Sequence, residues 1–283
     1  MGLGMARSLL RAGFKVWGRD TSPKACDAFA RDGGQIPDVL DDALERTSVL
    51  FIVVVNAAQT ESVLFGEDGL AERLNPGTVV VACATVPAEA AADIASRLTK
   101  RDILMLDAPI SGGAARAASG ELTVMASGAE SAFAKAEQAL DAVATKVYRL
   151  GAEPGQASRI KLVNQLLAGV HIAAAAEAMA YGIDQGCDPQ TLFDVISHSA
   201  GNSWMFENRV PHLLAGDYSP RSAVDIFVKD LGLVLDTAKK LPLPLSATAH
   251  QMFKQASAAG HGREDDIAVA KIFPGVRLPG QEG

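Results

Sequence analysis

The stretch "GAEPGQASRIKLVNQLLAG" (151–169) carries the sharpest chemical signal in the chain. Lys161 falls within the first two turns of a helix whose following residues are nearly all apolar. The amino-terminal end of a helix dipole repels a cation, and burial strips the cation of water. Both effects favour the neutral amine, the form that can take up a proton at neutral pH. Asn164 lies three residues on and shares that face of the helix, adding an amide that both donates and accepts. A lysine snorkelling to solvent beside a polar residue at a frayed helix start fits the same spacing.

A second candidate is "DAPISGG" (107–113), which follows the apolar run "ILMLDA" (103–108). Open α/β sheets place ligands beyond such strand ends. Ser111, Gly112 and Gly113 can present a hydroxyl and converging N–H groups to a carboxylate. An ordinary glycine turn has the same composition. At the start, Gly2 and Gly4 form G-x-G, but Arg7 stands where a third glycine would complete a dinucleotide turn. Gly2 can instead be the last glycine of that turn. Asp20 then falls close to the ~20-residue spacing expected for the acid that binds the ribose hydroxyls. Gly2 as a flexible end and Asp20 as a turn residue read equally well from spacing.

The elements that must position these residues change character midway. Apolar, β-branched runs at 14–18, 49–55, 78–84, 103–108, 121–128 and 146–150 alternate with helical patterns such as "PKACDAFARDG". The first four read as strands of a parallel sheet buried on both faces, the last two flank a further helix, and repeated β-α-β units imply a doubly wound α/β fold. Beyond "GAEPGQ" no convincing strand follows. Ala- and Leu-rich helical stretches cover 157–185, 189–199, 203–215, 222–240, 244–259 and 264–272, and the tail from Gly275 reads as disordered. The expectation is a Rossmann-like domain over 1–150 and an all-helical domain over 151–283. Helix 157–185, apolar on most sides, should be buried between domains or between subunits.

Composition narrows the partners. A net charge of -7 leaves no excess of cations to neutralise phosphates, so nucleic acid is excluded as a general partner. Cys26, Cys83 and Cys187 form no C-x-x-C pair, and the five histidines lack the i, i+4 spacing of a helical metal pair, so no metal site is expected. Buried free thiols in a reducing compartment are the expected state of the cysteines. No secretory leader is evident, and the apolar stretch "LLAGVHIAAAAEAMA" falls short of the ~20 residues that span a bilayer. A cytoplasmic protein without a membrane partner is expected.

From residue 1 to about 273 the chain resembles the β-hydroxyacid dehydrogenase family, which includes the 3-hydroxyisobutyrate dehydrogenases. The motif G-x-x-G-x-G-x-x-x-K-x-x-N is matched by Gly151, Gly155, Lys161 and Asn164, with Ala157 at the third glycine, and D-A-P-x-S-G-G is matched completely. The resemblance implies that Lys161 is the catalytic acid–base, that Asn164 holds the substrate, and that Ser111, Gly112 and Gly113 bind its acid group. It further implies that Gly2 ends a G-L-G-x-M-G turn whose strand and first glycines would lie ahead of Met1. Asn56 and Thr85 would be strand-end cofactor contacts, and Lys229, in "FVKDLGLVLDTAKK", would approach the cofactor from the helical domain. Read alone, those three are a turn residue, a strand-end cap and a solvated helix lysine. Gln165 stands where many members have a second asparagine, and the resemblance gives it no role. "GNSWMFENR" (201–209), with Asn202 and Trp204, either borders the substrate cleft or packs helices.

Asp20 favours NAD over NADP, because an acid at that strand end repels a 2′-phosphate. Within the family, "VVNAAQTESVLFGEDG" and "AGNSWMFENRVPHLLAGDYSPRSAVDIFVKDLGLV" most resemble members that oxidise a four-carbon sugar acid to a 2-oxo acid. The implied partners are a small hydroxy acid and further copies of the chain, as a homodimer or homotetramer. Two alternatives stay open: a dehydrogenase or reductase acting on other small acids, such as tartronate semialdehyde, and a non-catalytic binding protein built on this fold.

Overall fold

The computed structural model describes residues 1–276, 278 and 279. It divides into two compact units, Met1–Lys161 and Leu162–Gly283. In the first, a parallel sheet runs β1 (Val49–Ile52), β2 (Val79–Ala82) and β3 (Leu104–Asp107) in that order. Val79, Val80 and Val81 are fully buried, as a central strand covered on both faces must be. Ile52, Ala82 and Asp107 are register partners, so the three carboxyl ends lie level along one edge of the sheet. A second sheet pairs β4 (Ile110–Ser111) antiparallel with β5 (Leu122–Ala126), which runs parallel to β6 (Ala144–Arg149).

The helices of this unit are α1 (Gly2–Arg11), α2 (Pro23–Arg31), α3 (Leu40–Leu44), α4 (Ala57–Phe65), α5 (Ala88–Thr99), α6 (Gly113–Ser119) and α7 (Glu130–Val143). α1 lies directly on α6. A Cβ at Gly4 would stand 2.8 Å from the Ala118 backbone nitrogen, and Ser8 Oγ donates to the Ala117 carbonyl at 3.0 Å. Ser22 caps α2 by accepting from Ala25 N–H, and Pro23 takes the first helical position, where its missing N–H costs nothing.

Two details of this unit depart from the pattern read in the sequence. Segment 14–18 forms no extended ladder. Among the described residues its only bridge is Trp17 with Gln35, made by Gly18 N–H to Gln35 O (2.9 Å) and Gln35 N–H to Val16 O (3.0 Å). A β-branched run is a strand only where a neighbour supplies a ladder. The sheet content is also not purely parallel, because the two-residue β4 turns back against β5.

The second unit is helical. α8 (Gln156–Asp184) begins in the first unit and continues here, followed by α9 (Pro189–Ser197), α10 (Trp204–Leu214), α11 (Val224–Thr237) and α12 (Pro244–Ala256). Asp266–Ile272, expected to be an α-helix, is a tighter 3₁₀ coil, capped by Asp265 accepting from Ile267 N–H. Ile172 and Met179 of α8 sit in a core with Phe206 and Leu213 of α10, Leu231 of α11 and Phe253 of α12. Phe227 stacks on Phe253 with ring centroids 5.2 Å apart. The full α8 is longer than its most apolar stretch. By length and composition alone it could cross a membrane, with mean hydropathy 1.5 over its most apolar window, but half of that window is buried inside the protein. Ile172 and Met179 are wholly inaccessible, so one side of this helix packs into the protein core. The tail is not wholly loose: Leu278 is buried against the same core. The rest of the expected disordered tail, Arg277 and residues 280–283, lies outside the described residues. Nor are the thiols all buried, since Cys83 is inaccessible, Cys26 half-buried and Cys187 exposed.

Candidate active site

Lys161 is buried, at 5% exposure, in the second turn of α8, and its Nζ donates to the Ile110 carbonyl at 2.9 Å. That carbonyl belongs to the residue before Ser111, so the amine is tied to the segment that carries Ser111, Gly112 and Gly113. Gly112 (φ 131°) and Gly113 (φ 77°) both need the left-handed backbone that glycine permits, and together they turn the chain from β4 into α6.

The start of α8 is held by a residue far away in sequence. Asp107 ends β3 at 1% exposure and accepts Gly155 N–H (2.8 Å), Ser158 N–H (2.9 Å) and Ser158 Oγ–H (2.8 Å). Ser127 Oγ donates to the same carboxylate at 3.4 Å and accepts Ala157 N–H at 3.1 Å. The otherwise unpaired first N–H groups of α8 are thus satisfied by an acid and a hydroxyl from the sheet. Burial raises the Asp107 carboxyl above its ordinary range, and the hydrogen bonds from Ser158, Gly155 and Ser127 act against that rise. Burial, with the nearby Asp107 charge, pushes the Cys83 thiol up to about 12, which keeps it an inert thiol rather than a nucleophile.

The other candidates of the first unit gather at the level carboxyl edge of the parallel sheet. Gly2 opens α1 beside Val53, the residue after β1, with 3.5 Å between the Val53 side chain and a Cβ built at Gly2. Asn56 caps α4, its Oδ1 accepting Gln59 N–H at 2.9 Å, while Gln59 Oε1 accepts Val55 N–H at 2.8 Å. Thr85 follows β2 in a half-buried loop. Asp20 is exposed, accepts Ser22 N–H at 2.8 Å, and lies close enough to the Met1 ammonium to oppose the lowering of its pKa by burial. Two helix amino ends and a carboxylate at one sheet edge suit a dinucleotide: pyrophosphate at the N–H groups, ribose hydroxyls at the acid.

In the second unit the structure brings together Asn164, Gln165, Asp230 and Lys229. Asn164 Nδ2 donates to Gln165 Oε1 at 3.0 Å, and Gln165 Nε2 donates to Asp230 Oδ2. Lys229 Nζ lies 2.6 Å from Asp230 Oδ1. Asp230 itself is 1% exposed. Trp204, half exposed, opens α10, and Asn202 donates to Ser197 O and Glu207 Oε1.

Comparison with known proteins decides the family. Residues 1–151 match the profile of the NAD binding domain of 6-phosphogluconate dehydrogenase, and residues 155–273 that of the NAD-binding domain of NADP-dependent 3-hydroxyisobutyrate dehydrogenase. The L-threonate dehydrogenase of Cupriavidus necator is 62% identical over 99% of this chain and 95% of its own length. The chain belongs to the 3-hydroxyisobutyrate dehydrogenase family. The L-threonate dehydrogenase of Escherichia coli is 54% identical over 99% of this chain and 94% of its own. A crystal structure of a 3-hydroxyisobutyrate dehydrogenase from Salmonella typhimurium superposes with a TM-score of 0.91 at 53% identity, covering 96% of each chain. The protein is therefore an NAD(P)-dependent hydroxyacid oxidoreductase with a Rossmann-like domain followed by a helical one, and its substrate is a small hydroxy acid.

Sequence reasoning missed two polar residues around these sites. Asp107 was visible as the first letter of "DAPISGG", but its bonds to Gly155 and Ser158 span 48 and 51 residues. Asp230 was visible as the acid of "KDL", but its bond with Gln165 spans 65 residues.

Proposed function

We propose that this protein oxidises L-threonate with NAD to its 2-oxo acid, using Lys161 as the acid–base. The observation that carries the role of Lys161 is its burial at 5% exposure with Nζ 2.9 Å from the Ile110 carbonyl, next to Ser111. Removal from water favours the neutral form of a lysine amine, and that form can take up a proton. Identity of 52–62% over nearly the full chain to L-threonate dehydrogenases supports the four-carbon substrate. The 3-hydroxyisobutyrate dehydrogenases of rat and mouse stand at 29% and 28%.

When bound, NAD supplies the hydride acceptor. Gly2 and the amino end of α1 take its pyrophosphate, Asp20 its ribose hydroxyls, and Asn56, Thr85 and Lys229 complete the cofactor contacts. Asp20 repels a 2′-phosphate, which selects NAD. Ser111, Gly112 and Gly113 bind the substrate carboxylate, and Asn164 holds the hydroxyl. Lys161 accepts that hydroxyl's proton as hydride leaves the same carbon. Positioning by these groups supplies much of the rate. Residues 1–150 serve the cofactor, and 151–283 serve the substrate and self-association. Val163, Leu167 and Tyr181 leave an apolar stripe of α8 exposed, which supports a homodimer or homotetramer. The enzyme works in the cytoplasm.

The test follows NADH formation with L-threonate, 3-hydroxyisobutyrate and, in reverse, tartronate semialdehyde. A kcat/KM for L-threonate well above the others supports the reading. Preference for either rival reassigns the substrate, and no turnover with calorimetrically verified NAD binding favours a binding protein.

A further inference from the structure

Gln165 has no assigned role, yet it is buried at 7% exposure and bonded at both ends. Its partner Asp230 carries a carboxylate, which accepts hydrogen bonds and cannot donate them. Oδ1 of that carboxylate has the Lys229 ammonium at 2.6 Å, and Oδ2 takes the Gln165 amide nitrogen. Gln165 must therefore turn its NH₂ toward Asp230, which leaves only its carbonyl for Asn164. That carbonyl accepts from Asn164 Nδ2 at 3.0 Å. Asn164 is forced in turn to spend an N–H inward, and its Oδ1 is the acceptor left for a ligand.

An amide is nearly symmetric in shape, so packing alone distinguishes its oxygen from its nitrogen poorly. The anion at the end of the chain makes the distinction. We propose that Asp230 and Gln165 form a polarity relay that presents the Asn164 carbonyl to the substrate hydroxyl, a group that must donate while its proton is still in place. Gln165 and Asp230 are positioning residues; neither touches the reacting atoms. The proposal rests on the reading above that Asn164 holds the hydroxyl. It also accounts for glutamine rather than a shorter amide at 165, since its extra methylene lets one side chain reach both α11 and the neighbouring Asn164.

The decisive variant is Gln165→Glu. Ionised, the new carboxylate meets the Asp230 anion and has no proton to donate. Once protonated, it donates O–H to Asp230 and accepts from Asn164, which restores the polarity of the amide. The titratable groups near position 165 are Asp230 and Lys229 of α11 and, one helical turn away on α8, Lys161, while His250 of α12 is bonded to the Val228 carbonyl at 3.0 Å. The ratio of variant to unaltered kcat/KM should rise as pH falls from about 8 to about 6, by up to roughly tenfold per unit, the slope of one-proton uptake. Gln165→Met, which keeps the shape and removes the polarity, should lose on the order of 10²-fold in kcat with a pH-independent ratio. NAD affinity, read by calorimetry, should be unchanged in both and also reports that they are folded. A flat ratio for Gln165→Glu, or a normal kcat for Gln165→Met, overturns the relay. The measurement uses whichever hydroxy acid the unaltered enzyme oxidises, so failure on L-threonate alone overturns only the substrate reading. An enzyme that oxidises none of them overturns both.

Discussion

Lys161 is the residue on which the chemistry turns, and its removal is the most direct probe. Lys161→Ala should lower turnover by about 10²–10⁴-fold, the usual worth of a positioned acid–base, with NAD affinity retained in a calorimetric titration. Unchanged turnover would remove the lysine from the mechanism. Asp107 offers a subtler probe. Asp107→Asn keeps an oxygen for the Gly155 and Ser158 N–H groups but deletes a buried negative charge from the amino end of α8. With less compensation of the helix dipole, the neutral form of Lys161 is favoured. The acidic limb of the kcat/KM profile should then move to lower pH; a limb that stays in place shows that the charge is not felt at the lysine. Lys161, Asn164 and the Ser-Gly-Gly segment were legible because motif spacing is local. The bonds of Asp107 and the Gln165–Asp230 pair were not, because each joins segments that only the folded chain brings together.

Among the elements, α8 depends most on its first turn. Gly155 has φ +101°, and a Cβ there would stand 2.7 Å from the Ala88 carbonyl oxygen, a backbone atom that cannot step aside. Gly155→Ala should cost about 1–3 kcal/mol of stability through left-handed strain alone. Thermal melts check this, and a variant as stable as the parent would mean that the loop relaxes. Helices were easy to read from sequence: α2, α8 and α9 begin and end within a residue or two of the ranges read there. Buried strands were readable as apolar runs too, although their ends came out shorter. The failures have a common cause. Segment 14–18 has strand composition but, among the described residues, pairs only with Gln35, and β4 is a two-residue element with no periodicity to detect. Pairing is a tertiary fact, and composition does not encode it.

At the scale of the whole molecule, the two open quantities are self-association and the response to pH. Val163 (59%), Leu167 (50%) and Tyr181 (67%) leave apolar surface on a helix whose apolar window is only half buried. Paired substitutions Ala174→Asp and Tyr181→Asp, far along α8 from Lys161, should convert an oligomer to monomers in light scattering. An unchanged mass would place the interface elsewhere. The pH response has a defined source. Asp265 and Asp266 are both fully inaccessible, and Arg209 pairs with Asp266 through Nε at 2.6 Å and Nη2 at 3.1 Å. Burial nevertheless pushes the Asp266 carboxyl up to about 6, with the Asp265 charge adding to the rise and Arg209 opposing it. Between the ordinary carboxylate value and about 6, the folded protein therefore holds a proton that the unfolded chain has released. Stability from this group is present below that window and is lost as pH rises through it. Asp266→Asn cannot titrate, so the stability of the unaltered protein relative to this variant should decline as pH rises from about 4 to about 6, then level off. Denaturant melts at each pH give the difference directly. A difference that instead grows with pH would show that Arg209 holds the carboxylate ionised and that pairing, not burial, governs this cluster.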